Sequence, residues 1–481
     1  MTDTITGNPT IEAYTGPLDL SRPYFVGVGG CAMSGLARLL AELGHQVSGS
    51  DIHDSATLAT LRAAGMQVQV GHDAAHIEGA SCVVYTTVAQ NAPEVRAARV
   101  AGIPVVHRAQ LLDKLAAGRR LVAVSGSHGK STTAGMLAHI LRTLGQDPTH
   151  LIGADLTGPG SGAHLGGSRL LVAEADESDR SFHFLTPSVA VITNVTDDHP
   201  ENFASHADVL RAYVGFSARI APYGILVVNA DCVGATVAAD VIAAERPDVT
   251  VLRYGRDRAA DVRLLDVHAE GWSASATVRM PNGTEVGLTL PTPAARHLDN
   301  AAAAMACAVA LGLDPADVAG AACTFAGLRR RFEHIDTRSG VTVVDSYADH
   351  PNEIAADLDA ARNLARGRVF VVFQPSGHAR VLAFGERIGR VLADKADHVL
   401  LLDVHGTVPV GRPRADATAI MTRLREGDYC LRLCPDHAAR AIARMAGRGD
   451  VVLTMGTGDV AGYGVAILDA LSSRSEVALS A

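Results

Sequence analysis

Short, uninterrupted apolar runs alternate with longer amphipathic stretches along most of this chain. "YFVGVGG", starting at Tyr24, predicts a buried strand running into a glycine turn, and "AMSGLARLLAELG" predicts a helix closed by glycine. "QVSGSD", "SCVVYTT" and "IPVVHR" continue the alternation, which implies a parallel sheet covered by helices on both faces. This first unit ends near residue 118, at "AAGRR". A second opens on "RLVAVSG" and passes through a polar turn into the helical "STTAGMLAHILRTLG". It continues with the buried strands "RLLVAEAD", "SVAVITNV" and "GILVVNAD". From about residue 261 to 291 the apolar period becomes two, and Asn282-Gly283 between alternating runs predicts a hairpin. The helix "HLDNAAAAMACAVALG" follows. A third unit begins near residue 335 and carries the strands "VTVVDSY", "RVFVVFQ", "HVLLLD" and "DVVLTMG".

Composition narrows the function classes. The 481 residues are too many for one core. Their apolar and charged shares, 48% and 19%, are those of a globular protein. A net charge of -9, without a Lys/Arg cluster that would form a basic face, argues against a nucleic-acid partner. No run reaches the roughly 18 apolar residues that span a membrane. The seven cysteines form no Cys-x-x-Cys pair; Cys430 and Cys434 lack a second ligand pair, so all are expected to be core thiols. The N-terminal stretch has neither a basic nor an apolar leader segment, and a reducing cytoplasm is the expectation. Lysine is scarce (Lys114, Lys130, Lys395), so a lysine inside a glycine turn stands out.

That turn is "GSHGKSTT". A strand, a glycine-rich loop and a helix start aim backbone N–H groups at an anion, and the helix dipole adds about half a positive charge. Lys130 suits β- and γ-phosphate oxygens, and the Ser131 hydroxyl suits Mg2+. The usual phosphate-loop spacing places its first glycine two positions before Gly126. Glu174, Asp176, Glu177 and Asp179 follow a buried strand, at the edge where open α/β sheets bind ligands, and carboxylates there suit a Mg2+ on phosphates. Asn194, Asp197, Asp198 and His199 follow another. In the first unit, Gly27, Gly29 and Ala32 match a dinucleotide fingerprint with Asp51 ending the next strand. Either NAD or a uridine diphosphate meets those demands. "DSYADHPNEI" and "FQPSGHARV" are polar strand ends in the third unit, and "GLRRRFE" lies at its junction, where one arginine is placed to reach a phosphate.

Together, in chain order, "GVGGCAMSGLA", "GSHGKSTT", "EADESD", "NVTDDH", "LRRRFE", "DSYADHPNEI", "FQP" and "GTGD" resemble the motifs of the Mur ligases, most closely their alanine-adding branch, over residues 22 to 471. That family uses a short phosphate loop, which accounts for the displaced glycine. The resemblance implies an α/β chain of three domains after a loose 1–21: a Rossmann-like UDP-substrate domain at 22–118, a central P-loop ATPase-type parallel sheet with an antiparallel patch at 119–334, and a Rossmann-like C-terminal domain at 335–481 that binds the amino acid and closes over ATP. It implies ATP and Mg2+ as cofactors and small-molecule partners, a UDP-sugar carboxylate and an amino acid.

By position, the resemblance gives Gly29, Gly30, Ser34, Asp51, His72 and Thr87 to the UDP-substrate. It gives Gly126, Ser127, His128, Gly129, Lys130, Ser131 and Thr132 to the ATP phosphates, with Asn300 near adenine, Asp345 near ribose and Arg331 near the terminal phosphates. Ser131, Glu174 and His199 would serve Mg2+, with Lys130, Glu174 and His199 as the catalytic set. Tyr347, His350, His378 and Arg380 would hold the amino acid. The implied reaction activates a carboxylate as an acyl phosphate, which an amine then attacks.

Three segments depart from the alanine-adding pattern. Asp-Asp-Tyr-x-His-His-Pro is here Asp345-Ser346-Tyr347-Ala348-Asp349-His350-Pro351. His-Arg-Tyr-x-Arg is here Ser376-Gly377-His378-Ala379-Arg380, and His-Asn is here Arg296-His297. The same chemistry on a different donor or amine is therefore an alternative, and a nucleotide-binding paralogue without catalysis is a second.

Overall fold

The computed structural model describes residues 11, 13–157, 161–406, 408, 413–424 and 434–479. Cys430 lies outside them, as does most of the first part of the expected loose N-terminus; residues 13–21 carry no helix or strand. The chain forms two compact units. One comprises Met1–Val195, Leu210–Tyr254 and Ala303–Asp314; the other comprises Thr196–Val209, Gly255–Ala302 and Pro315–Ala481.

The first unit holds two sheets. Strands β1 (Pro23–Val26), β2 (Ser48–Asp51), β3 (Gln67–Val70), β4 (Cys82–Tyr85) and β5 (Val105–His107) pair in parallel in the order β3-β2-β1-β4-β5. β1 and β4 are wholly buried, as continuous apolar runs in a covered parallel sheet should be. The second sheet contains β6 (Arg120–Ser125), β7 (Thr149–Leu151), β8 (Ala163–His164), β9 (Leu170–Glu174), β10 (Val189–Ile192), β11 (Ile225–Asn229) and β12 (Thr250–Gly255), ordered β12-β11-β10-β6-β9-β7-β8. Only β8 runs antiparallel in this set, against β7. Phe182 stacks on Phe216 with ring centroids 4.8 Å apart and meets Tyr213 edge-on, filling the core under the helices.

The two sheets of this unit lock together through the helix Cys31–Glu42. A Cβ at Gly35 would stand 2.4 Å from the Leu151 side chain, so glycine is what lets the helix reach β7. Arg38 Nη1 donates to Ser161 Oγ at 2.5 Å across the same seam.

In the second unit, β13 (Val262–Glu270), β14 (Ser273–Arg279) and β15 (Glu285–Leu290) form the expected antiparallel patch. Asn282-Gly283 makes the turn, with Gly283 at φ +82° and Met280 N bonded to Thr284 O. Then β16 (Arg331–Arg338), β17 (Val341–Ser346), β18 (Val369–Gln374), β19 (His398–Leu401) and β20 (Val451–Gly456) order as β16-β17-β20-β18-β19. β16 runs antiparallel to β17 and closes one edge. The apolar pattern does not announce it, because an edge strand can be charged, and this one reads "RFEHIDTR".

Glu94 is the strongest polar constraint in the first sheet. It is fully buried and accepts from Ser50 Oγ at 2.8 Å and Asp73 N at 3.3 Å, with His72 Nδ1 at 3.0 Å. Glu94→Ala strands these buried groups, and a loss of about 2–3 kcal/mol is expected. Thermal unfolding of the variant should show a transition several degrees lower; an unchanged melt would remove Glu94 from the account of this sheet's stability.

Candidate active site

The phosphate-type loop is held from the side by the neighbouring strand. β6 and β10 run in register, Ser125 beside Ile192. That places Thr193 and Asn194 against residues 126–128. Asn194 O accepts from Ser127 N at 3.0 Å, Asn194 Oδ1 accepts from His128 N at 2.9 Å, and Thr193 Oγ1 donates to His128 O at 2.6 Å. Gly126 sits at φ +133°, and a Cβ there would meet Thr193 Oγ1 at 1.8 Å. Gly129, at φ +83°, is the N-cap of the helix Lys130–Thr143. Ser127, Ser131 and Thr132 are buried in this turn.

Lys130 curls over its own loop. Its Nζ donates to Gly126 O at 2.7 Å and to Glu177 Oε1 at 2.9 Å. Burial works against its charge, but Glu177, Asp176 and Glu174 outweigh it and push the ammonium above the usual lysine range. Ser131 Oγ donates to Glu174 Oε2 at 2.9 Å, and Gly153 N donates to the same oxygen at 2.8 Å. A hydroxyl and a carboxylate side by side, at a loop built for phosphate, form an oxygen donor set that fits Mg2+. Among the described residues no three His, Cys, Asp or Glu side chains form a metal cage.

Sequence reading missed one member of this corner. Arg108, the first residue of the helix Arg108–Ala116, donates to Asp176 Oδ2 at 2.8 Å and lies 3.6 Å from Asp179 Oδ2. Burial opposes its charge too, and the two aspartates overcome it, so its pKa rises. A cavity of about 170 Å³ opens here, lined by Cys31, Arg108, Ile152, Glu174, Asp176 and Phe182 among others. The start of the first helix, at Cys31 and Ala32, and Glu174 thus border the same cavity. The "VVHR" signal was a strand end in the chain; only the fold turns Arg108 toward Asp176.

The predicted UDP-substrate residues surround the first turn. Gly29 N donates to Asp51 Oδ2 at 2.9 Å, Gly30 caps the helix Cys31–Glu42, and Ser34 Oγ donates to Cys31 O. His72 is turned onto Glu94 and Ser50. Thr87 Oγ1 donates to Asp179 Oδ2 at 2.6 Å, which ties the first sheet to the acidic loop of the second.

In the second unit, several of the other predicted residues lie at the carboxyl ends of β17, β18 and β20. Asp345 accepts from Thr454 Oγ1 at 2.7 Å and Arg330 Nε at 2.9 Å. Arg331 lies over the Tyr347 ring, 4.9 Å from its centroid. "FQP" and "GTGD" meet directly: Gln374 Oε1 accepts from Val460 N, and a Cβ at Gly456 would stand 2.1 Å from Gln374 O. His199, at φ +53°, has Nδ1 3.2 Å from Glu201 Oε1. Asn300 is half-buried in the helix Arg296–Ala310. His378 is buried; Ala415 N donates to its Nδ1, and its Nε2 lies 3.3 Å from Gly406 O. His350 caps the helix Pro351–Leu364 and reaches Asp197 O at 3.1 Å.

Family models match in chain order: Mur ligase family, catalytic domain, at residues 22–120; Mur ligase middle domain at 124–308; and Mur ligase, glutamate ligase domain, at 330–458. The chain belongs to the Mur ligase family. It is 42% identical to the UDP-N-acetylmuramate–L-alanine ligase of Streptomyces avermitilis, over 95% of this chain and 99% of that one. It is 40% identical to the enzyme of the same name from Thermobifida fusca, over 94% and 97%. Among solved structures, UDP-N-acetylmuramate-alanine ligase MurC from Thermotoga maritima superimposes with a TM-score of 0.79 at 25% identity, covering 94% of this chain and 99% of that one.

Set in this Mur ligase, the altered motifs are not independent. Ser346 Oγ donates to Asp357 Oδ2, and Arg296 is ion-paired with Asp357 Oδ1. Two departures therefore converge on one fully buried carboxylate, whose pKa burial raises and Arg296 opposes. The third segment contributes Arg380, whose Nη1 donates to Oδ2 of Asp349, in the same segment as Ser346, at 2.5 Å. Asp357 was not singled out from sequence and Asp349 only as a motif change without a role, since contact between segments distant in the chain is what gives them partners.

Gly126→Ala should collapse nucleotide binding, because Cβ meets Thr193 and the backbone must leave φ +133°. A loss of at least about 100-fold in ATP-analogue affinity is expected by titration. Retained affinity would show that the loop tolerates another path.

Proposed function

We propose that this Mur ligase joins the carboxylate of UDP-N-acetylmuramate to L-alanine through an acyl phosphate, using ATP and releasing ADP and phosphate. The observation that carries the reading is the wired phosphate loop: Lys130 over Gly126 O, and Ser131 bonded to Glu174, at the start of a buried helix. The name shared by relatives at about 40% identity supplies the substrates.

A carboxylate is a poor acyl donor until a phosphoryl group is attached. The backbone N–H groups at the helix start, residues 129–131, and the Lys130 ammonium are placed to stabilise charge on the transferring phosphoryl group. Bound between Ser131, Glu174 and the phosphates, Mg2+ would supply further charge neutralisation. Arg108 and the adjoining cavity are placed to orient the donor carboxylate toward that corner. We assign donor binding to residues 22–118, ATP to 119–334 and the amine to 335–481. In the same reading His199 assists the metal and Asn300, Asp345 and Arg331 assist ATP. Tyr347, His350, His378 and Arg380 frame the amine. The altered environment of Arg380, already paired with carboxylates, favours a second reading in which the amine is not restricted to L-alanine.

The test is phosphate release with ATP, Mg2+, UDP-N-acetylmuramate and L-alanine. Turnover that needs all four components is expected, and Lys130→Ala should lower kcat by about 1000-fold or more. Near-normal activity in that variant, or phosphate release that ignores the UDP-sugar, would sink the reading.

A further inference from the structure

Arg380 stands in the first turn of the helix His378–Lys395, just past the end of β18. Asp349 lies just past the end of β17. Both loops leave the carboxyl edge of the sheet, where ligands bind in open α/β folds. Arg380 is closely engaged there. Its Nε and Nη2 donate to Asp198 Oδ1 at 3.1 and 2.7 Å, and its Nη1 donates to Asp349 Oδ2. Both carboxylates are buried. The other groups expected at the amine cannot replace this cation. His378 is committed to Ala415 and Gly406, His350 to its own helix and Asp197, and Gly377 has no side chain.

We infer that Asp349 is a specificity-determining residue of the amine site: by neutralising Arg380 it removes most of the advantage of a free α-carboxylate, so that L-alanine and L-alaninamide are used with similar efficiency. The inference rests on the ligase reading above and deepens it. A substrate carboxylate at Arg380 would be the third on one guanidinium. It is accommodated only if Asp349 takes up a proton or swings away. Burial, opposed by Arg380, pushes the Asp349 carboxyl up to about 6. Protonating it at about pH 7.5 therefore costs roughly 30-fold in affinity for an amino acid. An uncharged carboxamide is spared that cost.

The experiment compares kcat/KM for L-alanine and L-alaninamide in the full chain, in Asp349→Asn and in Asp349→His, with ATP, Mg2+ and UDP-N-acetylmuramate. The wild-type preference for L-alanine should stay within about fivefold, and both variants should raise it by about tenfold or more, mainly through KM for L-alanine. Calorimetric titration of L-alanine in the presence of ADP gives a readout that does not need turnover. Asp349→Asn should bind it about tenfold tighter than the wild type. No turnover with either amine, together with that tightening, would reject the donor but uphold the role of Asp349. A wild-type preference above about 50-fold, or unchanged L-alanine affinity in both variants, would overturn it.

Discussion

The clasp between the ends of β6 and β10 is the constraint on which the phosphate corner depends. A loop that points N–H groups at an anion needs its own carbonyls satisfied elsewhere. Thr193 and Asn194 do this from the next strand, bonding both faces of the His128 peptide. The approach is so close that only glycine fits at residue 126. With the loop so held, Lys130 and Ser131 start a helix whose axis aims their side chains at Glu177 and Glu174. Preorganisation of this kind lets a charged transition state be stabilised without reorganising the protein.

A second theme is neutralisation of buried charge. Lys130 with Glu177, and Arg380 with Asp198 and Asp349, are ion pairs with little solvent contact, and Arg108 with Asp176 and Arg296 with Asp357 are half-buried ones. Removing one partner from such a pair leaves a buried charge uncompensated, at several kcal/mol. A change at one member of such a pair therefore acts on its partner. Arg296 and Ser346 illustrate it: both replace residues usual in the alanine-adding branch, and both end on Asp357. The departures at the amine end of the chain thus form a coherent rearrangement of polar contacts. They differ in kind from scattered loss, which would leave carboxylates stranded.

Much of the fold was legible from periodicity. Buried parallel strands show as uninterrupted apolar runs, and the Asn282-Gly283 hairpin as a change of period to two. β16 was not legible, because an edge strand needs no apolar run and its pairing with β17 is made by backbone groups. The phosphate loop and the acidic strand end were legible as chemistry, since glycine, lysine, hydroxyl and carboxylate carry their roles in their types. Arg108 and Asp349 were not, because a charged residue after a strand looks the same whether solvated or buried.

The sequence by itself determined the α/β class, the order of the motifs and the family, because these reside in local patterns of a few residues each. Tertiary structure alone decided which polar groups meet. Glu174 reaches Ser131 across 43 positions and Asp198 reaches Arg380 across 182. Such pairings depend on strand order and register, and their strength depends on burial. Neither is written in the spacing of residues along the chain.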